Sequence, residues 1–125
     1  MTLKKLNLGD SELEIMKVIW KSKTPVNTGY INSAVSNHGW KRTTISTFLT
    51  RLVEKGALSV EKIGNLYYYA PIISEKEYKK SQTKNLIKSL YNGSLMDFAV
   101  SLFEDNGLSD SEIKELEKIF SKQEE

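Results

Sequence analysis

The chain has 125 residues, 39% of them hydrophobic, with one histidine and no cysteine, enough for one or two small domains and too little for disulfides, thiolate chemistry or a multi-histidine metal site. No apolar run approaches the roughly 18 residues of a membrane span, and the start MTLKKLNLGDSE lacks a signal-peptide core, so no membrane insertion and a cytoplasmic location are expected. The net charge of +2 hides an asymmetry: residues 1–103 carry 15 Lys and Arg against 8 Asp and Glu, whereas residues 104–125 carry 3 against 8.

The period of the apolar residues predicts a first helix over about 10–22, with Leu13, Met16, Ile19 and Trp20 on one face and Gly9 or Asp10 as cap. Pro25 breaks it. A second helix is predicted from Thr28, its cap, to His38, with Ile31, Ala34 and Val35 inward and Gly39 at its stop. His38 reads as a partly exposed packing residue at the helix end. A third helix follows at about 42–55 and stops at Gly56. The period then changes to two. Leu58 and Val60 alternate with Ser59 and Glu61, Gly64-Asn65 makes a turn, and Leu66 to Tyr69 return, closed by Pro71. Three short helices and a hairpin are the order of a winged helix-turn-helix domain. Further helices are predicted at about 75–91, 95–105 and 110–121, opened by the capping spacings Ser74/Glu77, Ser94/Asp97 and Ser109/Glu112. The fold class is therefore mostly α with a small β-hairpin: a winged-helix head over 1–72 and a helical tail over 73–125. The tail's apolar faces, Leu95, Phe98, Leu102, Phe103 and Leu116 among them, exceed what about 50 residues can bury alone, which points to a homodimer.

The stretch WKRTTISTFLTRLVEKG, residues 40–56, carries the functional signal. Ile45, Phe48, Leu49, Leu52 and Val53 form its apolar face. The other face holds Thr43, Thr44, Ser46, Thr47, Thr50 and Arg51. Threonine and serine are mediocre helix formers, and a merely solvated face would use Glu, Lys, Gln and Ala. Short hydroxyls and threonine methyls suit close approach to base edges in the major groove, and Arg51 is long enough to reach guanine or a phosphate. Lys41 and Arg42 at the helix start are placed to clamp a phosphate. No phosphate loop, nucleophile motif or metal-ligand set is present, so neither enzyme activity nor a cofactor is expected.

These residues also carry a resemblance. "SELEIMKVIW" (11–20), Trp40-x-x-x-Thr44-x-x-Thr47, "TRLVEKGAL" (50–58), "YYYAPIISEKEY" (67–78), "YNGSL" and "LSDSEIKELEKI" follow, in order, the pattern of the penicillinase-repressor family (the BlaI/MecI/CopY winged-helix repressors). The chain resembles that family from Leu8 to about Phe120. The resemblance implies a homodimeric transcriptional repressor occupying a palindromic operator in double-stranded DNA. Its DNA contacts correspond to Thr43, Thr44, Ser46, Thr47 and Arg51. Thr43 and Ser46 depart from the basic residues common in relatives, and Lys41-Arg42 replaces the usual Ser-Pro. Lys62 and Asn65 are expected phosphate contacts in the wing. The absence of cysteine sets the chain apart from the copper-responsive branch. In the β-lactam-responsive branch, control of a β-lactamase or its sensor operon is relieved by a sensor-linked protease. The corresponding bond is Ser101–Leu102, where relatives have Asn and Phe. Two other readings fit a winged helix: a protein-interaction module, and a regulator of another operon controlled by a small-molecule effector.

Overall fold

The structure is a computed structural model describing residues 6–104 and 107–124. Its elements are α1 (Asp10–Lys21), β1 (Val26–Asn27), α2 (Thr28–Ala34) with a 3-10 turn at Ser36–His38, α3 (Arg42–Glu54), β2 (Leu58–Ile63), β3 (Leu66–Pro71), α4 (Glu75–Leu90), α5 (Leu95–Ser101) and α6 (Asp110–Glu124). They fall into two compact units, a head ending at Gln82 and a tail beginning at Thr83.

The head's sheet has the order β1-β3-β2, all antiparallel, with Val26 and Val60 both opposite Tyr69. The hairpin and its Gly64-Asn65 turn lie as the alternation predicts, and Gly64 takes the left-handed φ of 63° that a turn of this kind requires. β1 was not predicted. Two residues are too few for a period-two pattern, and their pairing partners lie 43 and 41 residues further along the chain. It also changes the second helix. The extended backbone runs on to Asn27, so Asn27 is the cap instead of Thr28, its Oδ1 accepting the Tyr30 N–H at 2.9 Å. That helix ends at Ala34, and Ala34 is exposed, contrary to expectation.

The core is built from Ile15, Met16 and Ile19 of α1, Ile31 and Val35 around α2, and Ile45, Leu49 and Leu52 of α3, closed below by Leu58 and Ile73. The buried row of α1 is Glu12, Ile15, Met16 and Ile19, an i, i+3, i+4, i+7 set; Leu13 and Trp20 only flank it. The head also reaches further than residue 72. Trp20 Nε1 donates to the Ile73 carbonyl at 2.9 Å, the Leu8 N–H donates to the buried Tyr78 hydroxyl at 3.3 Å, and Gln82 Nε2 donates to the Leu6 carbonyl at 3.0 Å. These bonds fasten the first two turns of α4 to the head, so the units divide inside α4, ten residues past the sequence-based boundary.

Glu12 is the one charged residue in this core among the described residues, 6% exposed. Its Oε1 accepts from the Gly9 N–H at 2.8 Å and from Lys55 Nζ at 2.6 Å, and Lys55 also donates to the Asn7 carbonyl at 2.9 Å. The pair ties the start of α1 to the end of α3. Burial alone would raise the Glu12 pKa. Hydrogen bonds from Lys55 and Gly9, with the charges of Lys55 and Arg51, outweigh it and hold the carboxyl below its ordinary value. The unfolded chain thus binds this proton more tightly than the folded one. The carboxylate's contribution is intact above the ordinary glutamate pKa of about 4.3 and is lost as the pH falls through the lower folded value. Glu12→Gln is expected to cost about 1–2 kcal/mol at neutral pH, where Lys55 loses its partner but keeps partial solvation, and to flatten the acid limb of the stability curve. Thermal unfolding of both proteins between pH 7 and 3 measures this; parallel curves would remove Glu12 from the acid response.

The capping boxes form as predicted at Ser74/Glu77, in the head, and at Ser109/Glu112, in the tail, where Ser94 Oγ also accepts the Asp97 N–H at 3.0 Å. Helix α5 is shorter than expected, ending at Ser101 with Leu102 as its cap. Beyond it the Gly107 N–H donates to the Glu104 carbonyl at 2.9 Å, and a Cβ at Gly107 would collide with the Leu102 carbonyl. Residues 105 and 106, the end of the predicted helix and part of the Asn106-Gly107 break, lie outside the described residues. Among the described residues of the tail, not one is buried. No described helix is long and apolar enough to cross a membrane.

Candidate nucleic-acid interface

Helix α3 is held from behind and open in front. Ile45, Leu49 and Leu52 are buried. Thr43, Thr47 and Thr50 stand two residues before or after them in the same i, i+4, i+7 spacing, which puts them on the opposite side of the helix, and all three are exposed. Ser46 and Arg51 flank this row, both exposed, while Thr44 is half-buried at its edge. Thr50 completes the row although the family pattern did not nominate it; its i+7 spacing from Thr43 is the signal in the sequence. Thr47 Oγ1 donates to the Thr43 carbonyl and Thr50 Oγ1 to the Ser46 carbonyl, each at 3.0 Å. This back-bonding is what makes such residues poor helix formers.

The start of α3 differs from the other long helices. Acids occupy the first turns of α1, α4 and α6, where they complement the helix dipole. The first turn of α3 has no acid and begins with Arg42, and Lys41 caps it without a side-chain bond. Cations there oppose the dipole unless an anion meets them. The lead-in is braced by rings: His38 stacks on Trp40 at 4.2 Å and 8°, and Trp40 meets Phe48 edge-on at 5.3 Å. His38 is thus an exposed packing residue, as expected, although its helix is a 3-10 turn. Gly39 between the rings has a φ of 71°.

Arg42, Thr43 and Ser46 also line an open cleft shared with Gly29, Asn32 and Ser33 of α2, whose lining residues include no carboxylate. Asn32 Oδ1 is buried there with no partner among the described residues. Among those residues no carboxylate lies within ion-pair distance of Lys41, Arg42 or Arg51. In the wing, Lys62 Nζ sits 5.7 Å from the ring of Tyr67, its cross-strand partner, and both Lys62 and Asn65 are exposed. Among the described residues no cluster could hold a metal ion.

The other predicted residues lie in the tail. Leu95 and Phe103 are open, and Phe98, Leu102 and Leu116 are half-buried. Met96, Leu90 and Phe120, not nominated by the sequence, are 71%, 69% and 64% exposed. Ser101 Oγ donates to the Phe98 carbonyl at 2.6 Å and lies 3.1 Å from the Tyr91 hydroxyl, while the Tyr91 ring meets Phe98 edge-on at 5.5 Å. Because α5 ends at Ser101, the Ser101–Leu102 bond lies at the helix end and does not divide the helix as its predicted extent implied.

Comparison with known proteins agrees with this architecture. The family described as "Penicillinase repressor" matches residues 8–122. The penicillinase repressor of Bacillus licheniformis is 38% identical over 113 residues, 90% of this chain and 88% of that protein. The methicillin resistance regulatory protein MecI of Mammaliicoccus sciuri is 30% identical over 122 residues, 98% of this chain and 99% of that protein. Among solved structures, the DNA-binding domain of the repressor BlaI matches 62% of this chain and 92% of its own, with 40% identity and a TM-score of 0.53. Monomeric Bacillus licheniformis BlaI in complex with the blaP half-operator matches 58% and 89%, with 42% identity and a TM-score of 0.51. The chain belongs to the penicillinase-repressor family, on the branch whose named members are the penicillinase and methicillin-resistance repressors.

Proposed function

We propose that this protein is a transcriptional repressor that binds a palindromic operator as a homodimer, with Lys41, Arg42, Thr43, Thr44, Ser46, Thr47 and Arg51 facing the DNA and Lys62 and Asn65 on its phosphates. The observation that carries this reading is the outward face of α3, a row of exposed hydroxyl residues beginning in two cations with no acid in the first turn. The similarity of the head to BlaI solved with a half-operator supports it. The homodimer is supported by a tail in which no described residue is buried although Leu90, Leu95, Met96, Phe103 and Phe120 are present to be covered. Isologous pairing covers such faces without a second gene product. The regulated genes are a β-lactamase, its sensor operon or both, and a sensor-linked protease relieves repression by cutting Ser101–Leu102. The likeness to repressors of penicillinase and methicillin resistance supports that assignment.

Binding to the Bacillus licheniformis blaP operator, as a full palindromic duplex, should be steep in salt. Lys41, Arg42 and Lys62 from two heads give about six phosphate contacts, and about 0.9 per contact sets a slope near −5 in log affinity against log salt. A fluorescence titration from low to physiological salt measures it, with a scrambled duplex as control. Equal affinity for both duplexes at physiological salt, or a flat salt response, would overturn the repressor reading.

A further inference from the structure

The hydroxyl hydrogens of Thr47 and Thr50 are already spent. Each Oγ1 donates at 3.0 Å to a carbonyl one turn back, of Thr43 and of Ser46, and a carbonyl oxygen can only accept. Both residues are exposed on the side of α3 opposite Ile45, Leu49 and Leu52. With Oγ1 turned back onto the helix, the γ-methyl and the remaining oxygen lone pair are what these side chains offer outward. Neither is a donor. In the major groove guanine shows only acceptors, N7 and O6, so these threonines have nothing to give it. The remaining lone pair can accept from the adenine N6 amino group of an A·T pair or from the cytosine N4 amino group of a G·C pair and so does not discriminate, whereas the thymine 5-methyl, the apolar partner of the γ-methyl, occurs only on an A·T pair. The donor for guanine is left to Arg51.

We infer that Thr47 and Thr50 select A·T pairs through their methyl groups, with the thymine 5-methyl as the partner, and that Thr50 is a readout residue in its own right. This rests on the DNA-binding reading above and adds the chemical rule by which α3 reads sequence. The hydroxyl of each threonine has a positioning role: it fixes the rotamer that turns the methyl outward.

The test uses the full chain and the duplex it enriches from a randomised pool. Each thymine in that duplex is replaced in turn by deoxyuridine, which removes only the 5-methyl. One or two positions per half-site should lose about fourfold in affinity, the value of one buried methyl, multiplied when both half-sites are changed. Thr47→Ser and Thr50→Ser keep the back-bonding hydroxyl and lose the methyl. Each should bind the thymine duplex about fourfold more weakly per half-site and become indifferent to deoxyuridine at its own position. Thr47→Val and Thr50→Val keep the methyl and stay within about twofold of the wild type, still sensitive to deoxyuridine. Circular dichroism confirms that all four variants keep the wild-type helix content. The inference is overturned if the wild type ignores deoxyuridine everywhere, or if the valine variants lose as much as the serine variants, which would make the hydroxyl the reader. If no duplex is enriched at all, the DNA-binding reading falls together with it, an outcome distinct from either of these.

Discussion

A chain ending at Ser101 is expected to sediment as a monomer and to bind the operator about a hundredfold or more weakly than the intact protein. Among the described residues every buried apolar one lies between Leu6 and Tyr78, so the head keeps that core after such a cut. The tail has no such reserve. Among its described residues nothing is buried, and the cut removes Leu102, Phe103 and all of α6, with Ile113, Leu116, Ile119 and Phe120. What remains, α5 and the end of α4, keeps Leu90, Leu95 and Met96 but loses Phe103 and Phe120, and so short a tail is expected to be too small to hold two chains together. Affinity then falls for a geometric reason. In the dimer the second half-site contact is intramolecular, at an effective concentration often near millimolar, and linkage of this kind multiplies affinity by about 10² to 10⁴. Phe98→Asp in the full chain should reproduce the effect without a cut, because it places a charge where the half-buried ring meets Tyr91. Sedimentation and operator titration of both proteins, with thermal unfolding to show the head intact, decide the matter. A truncated chain that stays dimeric and holds its operator as tightly as the intact one would exclude induction by cleavage at this bond and direct attention to a ligand-controlled mechanism.

What the sequence revealed and what it hid follow the range of the forces involved. The apolar face of α3 was legible because Ile45, Leu49 and Leu52 repeat at the helical period, and the hairpin because alternation and Gly64-Asn65 are both local. The capping boxes are three-residue signals and formed where they were written. The features that escaped are long-range or differ by one helical step. Strand β1 exists only because β3 passes beside it. Glu12 and Lys55 are 43 positions apart, and a glutamate in the first turn of a helix reads as a dipole partner until its burial is seen. Helix α5 ends at Ser101 although Leu102 and Phe103 continue the apolar spacing of Leu95 and Phe98, because the spacing of one face does not fix where a helix stops. At the interface, residue types and face were readable. The direction of each hydroxyl was not, since Thr47 and Thr50 have the same letter whether they point out or bond back.

Replacing Arg51 by alanine should separate sequence reading from simple attraction to DNA. Arg51 is exposed on the last full turn of α3, with no carboxylate among the described residues at ion-pair distance. Its charge is felt by Glu12, but the hydrogen bonds that hold Glu12 come from Lys55 and Gly9, so the clamp at the end of α3 survives the change. Alanine is also the better helix former at an exposed position, and thermal stability should stay close to wild type. If the guanidinium makes a bidentate contact with a guanine edge, its loss costs about 1–3 kcal/mol on the operator and little on a scrambled duplex. Lys41→Ala and Arg42→Ala should behave differently. They weaken both duplexes alike and lower the salt slope by about 1 for each phosphate contact removed, since phosphates carry no sequence information. Titrating the three variants against both duplexes at two salt concentrations gives the specificity ratio and the slope for each. An Arg51→Ala protein with wild-type affinity for its operator would take this face of α3 out of the major groove. A loss shared equally by operator and scrambled duplex would move Arg51 to the phosphates, leaving the threonine row as the sole reader on the helix.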